Sequence, residues 1–70
     1  MGYKLTKMRE IRRARNITLT ALAKKLGCHR NTLASYERGD SIPQLDFGIK
    51  IADALRADVY QLIGRTKTEL

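Results

Sequence analysis

A single cysteine, Cys28, leaves this 70-residue chain without an internal disulfide, although a chain of that size lies near the lower limit at which one core is stable alone. Cys28 and His29 together offer at most two adjacent ligands, where a structural zinc takes four, so no metal site is expected. Reducing conditions suit a lone thiol. No apolar run approaches the ~20 residues of a membrane helix, and no apolar stretch follows the basic N-terminus to make a signal peptide. A soluble, cytoplasmic protein is expected. One histidine, one cysteine and scattered acids supply no nucleophile with a base and no paired carboxylates, and there is no glycine-rich loop to cradle a phosphate. No enzyme and no cofactor are expected. Alternation of β type over four or more residues is also lacking, which argues against strands.

What is present is positive charge, unevenly placed. The net charge is +7. Residues 1–38 hold ten bases (Lys4, Lys7, Arg9, Arg12, Arg13, Arg15, Lys24, Lys25, Arg30 and Arg38) and two acids, Glu10 and Glu37, a net +8. Residues 39–70 hold four bases and five acids, a net −1. One half therefore suits a polyanion and the other does not, the electrostatic footprint of nucleic-acid binding. A merely solvated basic face is the alternative.

The chain divides into short helical segments between breakers. Leu5, Met8, Ile11 and Arg12 recur at helical spacing and predict a first helix over residues 5–15, ending near Asn16. Thr18 can cap a second helix over 18–26 with Leu22, Ala23 and Leu26 on its apolar face and Gly27 at its end. Only Gly27 and Cys28 separate it from a third helix over 29–37, in which Leu33, Tyr36 and Glu37 share a face, and Gly39 ends that helix. Pro43 is placed to precede a fourth helix, whose apolar face is predicted as Leu45, Ile49, Ala52 and Leu55. Asp58 and Gln61 form a capping box for a short fifth helix carrying Val59, Leu62 and Ile63, closed by Gly64. Residues 1–64 are expected to form one domain, and 65–70 a frayed polar tail.

Two helices joined so tightly need a small residue at their contact and a residue without Cβ at the bend, which makes residues 18–37 a helix-turn-helix. The specificity lies in the joint register of Thr18, Ala23, Gly27, Leu33, Glu37, Gly39 and Pro43. Ile17-Thr18, "LAKKLG", "ERG" and Pro43 in that order resemble the lambdoid phage repressor and Cro family of helix-turn-helix proteins, also called the XRE family, over residues 8–63. The resemblance implies an all-α fold, a compact bundle of five short helices of the lambda repressor type. It further implies a sequence-specific binder of double-stranded DNA, usually dimeric.

Carried onto this chain, the resemblance makes residues 18–26 the positioning helix and 29–37 the recognition helix. At 100° per residue Asn31, Ala34, Ser35 and Arg38 lie opposite Leu33 and Glu37, with Arg30 at the helix start. Arg30 has the fork for guanine O6 and N7, Asn31 can pair with adenine N6 and N7, and Ala34 offers a methyl to thymine. Thr32 and Ser35 can reach a base or a phosphate. Phosphate contacts are expected at the start of the second helix, from Thr18 and the free backbone N–H groups there, Leu19 included. Lys24, Arg38, Ser41 and the basic face of the first helix follow as secondary candidates. The family commonly pairs the residues at positions 12 and 37, here Arg12 and Glu37, between the first and third helices. By the same resemblance Val59, Tyr60 and Ile63 are the candidate dimer surface. Four positions depart from the family pattern: Leu19 replaces a frequent Gln, His29 and Gln44 are poor caps, and Gly48 replaces an apolar residue inside the fourth helix, at a cost of about 1 kcal/mol in helix propensity.

A transcriptional regulator is thus expected, most simply a repressor that occupies a palindromic operator as a homodimer with its recognition helices ~34 Å apart. With nothing beyond the DNA-binding domain in the chain, no ligand-sensing domain is expected. The alternative is a protein-interaction module, either an antitoxin or an activator that contacts RNA polymerase.

Overall fold

The computed structural model describes residues 3–64. Five helices follow in order: α1 (Met8–Ala14), α2 (Leu19–Leu26), α3 (Arg30–Arg38), α4 (Leu45–Ala54) and α5 (Val59–Leu62), with no strand among the described residues. α2 packs on α3 and α4, and α4 on α5. The polar tail expected at 65–70 lies outside the described residues.

The breakers act through the backbone. Gly27 takes φ +71°, and beyond it the Cys28 N–H donates to the Ala23 carbonyl at 3.0 Å. Gly39 takes φ +80° and the Asp40 N–H donates to the Ser35 carbonyl at 3.0 Å. Both turns satisfy carbonyls that a helix end would otherwise leave unpaired, in a left-handed conformation where a Cβ is disfavoured. Thr18 caps α2 by accepting the Ala21 N–H at 3.1 Å, and the Asp58–Gln61 capping box closes around α5. His29 and Gln44 precede α3 and α4 without any side-chain cap bond.

The core is drawn from every helix. Met8, Leu22, Leu33, Ile51 and Leu62, one from each, are fully buried together with Leu55. Ala23 is buried on the side of α2 that carries Leu22, small enough for the short connection to α3. Among the described residues no buried side-chain nitrogen or oxygen lacks a hydrogen-bond partner.

Two sequence expectations are corrected. The first helix does not begin at residue 5. Leu5 is buried, but ahead of α1, in a turn where its carbonyl accepts the Met8 N–H at 3.2 Å. The incoming chain is instead tied to the other end of the domain. The Lys7 N–H donates to the Leu62 carbonyl at 2.9 Å and the Thr6 hydroxyl to the Ile63 carbonyl at 3.3 Å. Leu5 thus reaches the core at helical spacing without being helical.

Of the expected inner face of α4, Ala52 and Leu55 are buried but Leu45 and Ile49 are not. The buried residues of the helix are Gly48, Ile51, Ala52 and Ala54, continuing to Leu55, while Leu45 is 72% exposed and Ile49 45%. Residues 48, 51, 52 and 55 form a regular i, i+3, i+4, i+7 stripe. It was hidden in the sequence because its first member is glycine, while leucine and isoleucine stand on the adjacent, solvent-facing side.

Candidate nucleic-acid interface

The positively charged half of the chain surrounds the junction of α1, α2 and α3. Glu37 near the end of α3 has a side chain only 1% exposed, and Arg12 of α1, 11% exposed, donates from Nε to its Oε2 at 2.6 Å and from Nη2 to its Oε1 at 3.3 Å. Arg12 Nη1 also donates to the Ile17 carbonyl at 2.8 Å, so one guanidinium fixes α3 to α1 and to the segment entering α2. The planar fork allows this where a lysine ammonium would not. Arg9, from the exposed side of α1, adds a longer contact of 3.4 Å to Glu37 Oε1. The carboxylate is thereby neutralised within the fold by two arginines of α1.

The outward face of α3 carries the base-reading candidates. Arg30 and Asn31 are exposed in its first turn, Thr32, Ala34 and Ser35 are half-buried, and Arg38 is exposed at its end. Asn31, Ala34, Ser35 and Arg38 share the side away from Leu33 and Glu37, whereas Arg30, three and seven residues before those two, is exposed because it stands at the helix start. Tyr36 is half-buried and meets Phe47 of α4 edge-on, with ring centroids 6.1 Å apart. That contact holds α3 against α4.

The phosphate candidates flank this face. At the start of α2 the Thr18 hydroxyl accepts the Ala21 N–H, and the Leu19 and Thr20 amides have no intrahelical partner, an arrangement that favours an anion. Leu19 is half-buried and packed on the core, so only its backbone amide is available there. Lys24 and Ser41 are exposed. Two contacts around the loop after α3 bear on the remaining candidates. Ser35 and Ser41 share a hydroxyl–hydroxyl hydrogen bond of 2.6 Å, and Arg38 Nε donates to Asp40 Oδ2 at 2.7 Å. Neither pairing was read from the sequence. The first depends on the chain reversal at Gly39, whereas the second had a visible cue in opposite charges on either side of that glycine. Cys28, at the turn between α2 and α3, is half-buried, and burial pushes its thiol up, further from the reactive thiolate.

Apolar side chains are also exposed. Tyr3, Ile42, Leu45, Ile49 and Tyr60 are exposed large hydrophobic residues. All of these but Ile49 line a groove of about 710 Å³ to which Val59 and Ile63 also contribute, with Gly48 in its wall. Val59 and Ile63 are half-buried and also pack on the core. Sequence periodicity assigned Leu45 and Ile49 to the interior because an apolar side chain facing solvent has the same signature as one facing the core.

Among the described residues no group of three or more histidine, cysteine or acidic side chains is placed to hold a metal, and no helix is long and apolar enough to cross a membrane. The pattern of the helix-turn-helix family matches residues 8–62, which contain all five helices. The chain is also similar to the cryptic phage CTXphi transcriptional repressor RstR of Vibrio cholerae serotype O1 (strain ATCC 39315 / El Tor Inaba N16961), at 34% identity over 58 residues. That alignment covers 83% of this chain and 52% of the repressor, so the chain spans about half the length of this curated relative.

Proposed function

The chain belongs to the helix-turn-helix family, and from that premise we propose that it is a sequence-specific, double-stranded DNA-binding transcriptional regulator, acting as a repressor in the cytoplasm. The observation that carries this is the Arg12–Glu37 pair, which joins the helices so that α3 turns Arg30 and Asn31 to solvent from the basic half of the chain. Arg30 reads guanine, Asn31 adenine and Ala34 a thymine methyl, with Thr32 and Ser35 reaching a base or a phosphate. Thr18, the Leu19 amide, Lys24, Arg38 and Ser41 hold the backbone. The similarity to a phage transcriptional repressor supports repression, and blocking a promoter needs no chemistry beyond occupancy.

The protein acts as a homodimer on a palindromic operator. The apolar groove bounded by Val59, Tyr60 and Ile63 supports this, because eight of the ten residues that line it follow position 38, where charge is nearly balanced, and the other two, Tyr3 and Leu5, are uncharged. Two copies of a chain with net charge +7 meet there with less repulsion than on their basic halves.

Selection of bound sites from random duplexes, repeated with Arg30→Ala, Asn31→Ala and Lys24→Ala, tests the assignment. Arg30→Ala and Asn31→Ala should each relax preference at particular positions, by about 1–3 kcal/mol per base pair. Lys24→Ala should weaken all sequences alike and lower the salt slope by about one. Uniform weakening by all three would refute base reading by α3. Recovery of one stoichiometric protein partner without any selected DNA site would favour an antitoxin or a polymerase-contacting activator.

A further inference from the structure

We propose that Asp40 is a built-in attenuator of DNA affinity, which competes with the DNA phosphates for Arg38. The inference rests on the assignment of the α3 face to DNA. Arg38, in the last turn of α3, and Asp40, in the loop after it, are 54% and 61% exposed in their side chains and paired at 2.7 Å. Of the other acids near α3, Glu37 is enclosed by Arg12 and Arg9, whereas Asp46, exposed at the start of α4, shares a hollow with Thr32 and Tyr36 and accepts the Phe47 N–H. Asp40 is the exposed acid that pairs with an arginine of α3.

The fold does not require a carboxylate there. Asp40 sits just beyond the C-terminus of α3, where the helix dipole is negative and an acid is unfavourable. The turn is already held by backbone, through the Asp40 and Gly39 amides donating to Ser35 and Tyr36, and by the Ser35–Ser41 hydroxyl pair. An exposed ion pair adds little stability of its own. At a surface meeting phosphates the same pair has a larger consequence: before Arg38 can neutralise a phosphate it must leave Asp40, and the freed carboxylate then stands close to the DNA backbone. The competition involves no base, so it lowers affinity on all sequences and flattens the salt dependence.

The test is Asp40→Asn, measured by fluorescence anisotropy on a random-sequence 20-base-pair duplex across a salt series, with Arg38→Ala and the double variant completing a cycle. Asp40→Asn should tighten binding about three- to tenfold and steepen the salt slope by about one. In the Arg38→Ala background the gain should fall by at least half. Asp53→Asn, which removes the same charge from the exposed side of α4, should change affinity less than twofold. An unchanged or weakened affinity for Asp40→Asn overturns the proposal. So does an equal gain with and without Arg38, or an equal gain from Asp53→Asn. A wild-type protein that binds no duplex at low salt would instead overturn the DNA-binding assignment on which this rests.

Discussion

At the scale of single residues, the domain depends on one carboxylate. A glutamate with 1% of its side chain exposed would be untenable without partners, and Arg12 supplies two hydrogen bonds to it and a third to the Ile17 carbonyl. Replacing such a pair by apolar residues can be neutral, but removing one partner leaves the other charge buried. Glu37→Ala should therefore cost about 3 kcal/mol, read as a lower urea midpoint with unchanged slope. Arg9→Ala should cost less than about 1 kcal/mol, because Arg9 is 56% exposed and its contact is screened by water. Comparable losses in both variants would show that the enclosure of Arg12 and Glu37 is not what matters. The types and positions of these residues stand in the sequence, with "ERG" at 37–39, but the part played by Arg9 does not. Arg9 and Arg12 lie three apart on α1 and have the same chemistry, and only the approach of α3 decides which of them is enclosed.

At the scale of elements, the helix boundaries were largely legible because they depend on local chemistry. Thr18, Gly27, Gly39 and Asp58 each act within a few residues of themselves, so a cap or a left-handed turn follows from residue type and neighbours. The start of α1 and the inner face of α4 were not legible, since both depend on distant chain. Leu5 is buried in a segment bonded to α5, and α4 turns Ile51 and Ala52 inward while Leu45 and Ile49 face out. Gly48 makes the point testable. It lies inside α4 with helical backbone, and a Cβ built on it meets nothing within 4 Å. Gly48→Ala should then raise stability by about 0.5–1 kcal/mol through helix propensity. That corresponds to a thermal midpoint several degrees higher, and a lower midpoint would mean that the space beside Gly48 is not open.

At the scale of the whole molecule, the chain has two unlike surfaces, the exposed bases of its first 38 residues and an apolar groove formed by α4, α5, the loop before α4 and the segment before α1. A homodimer through the groove predicts that Leu45→Lys, at a position 72% exposed, changes stability by no more than about 0.5 kcal/mol. The same variant should weaken self-association at least tenfold in sedimentation equilibrium, and wild-type association in the variant would remove Leu45 from the interface. By itself the sequence determined the helix count, the helix-turn-helix register, the imbalance of charge and the outward positions of α3, since these follow from periodicity, caps and residue type along a local stretch of chain. Tertiary structure alone decided which apolar residues become core and which remain as surface, and which charges are spent inside the fold. Leu45 and Leu55 have the same side chain and occupy the two ends of one predicted stripe, yet one is exposed and the other fully buried. Arg12 is enclosed by Glu37, whereas Arg38 pairs with Asp40 in water. Burial and pairing depend on what arrives from elsewhere in the chain, and that contact is made only when the helices close on one another.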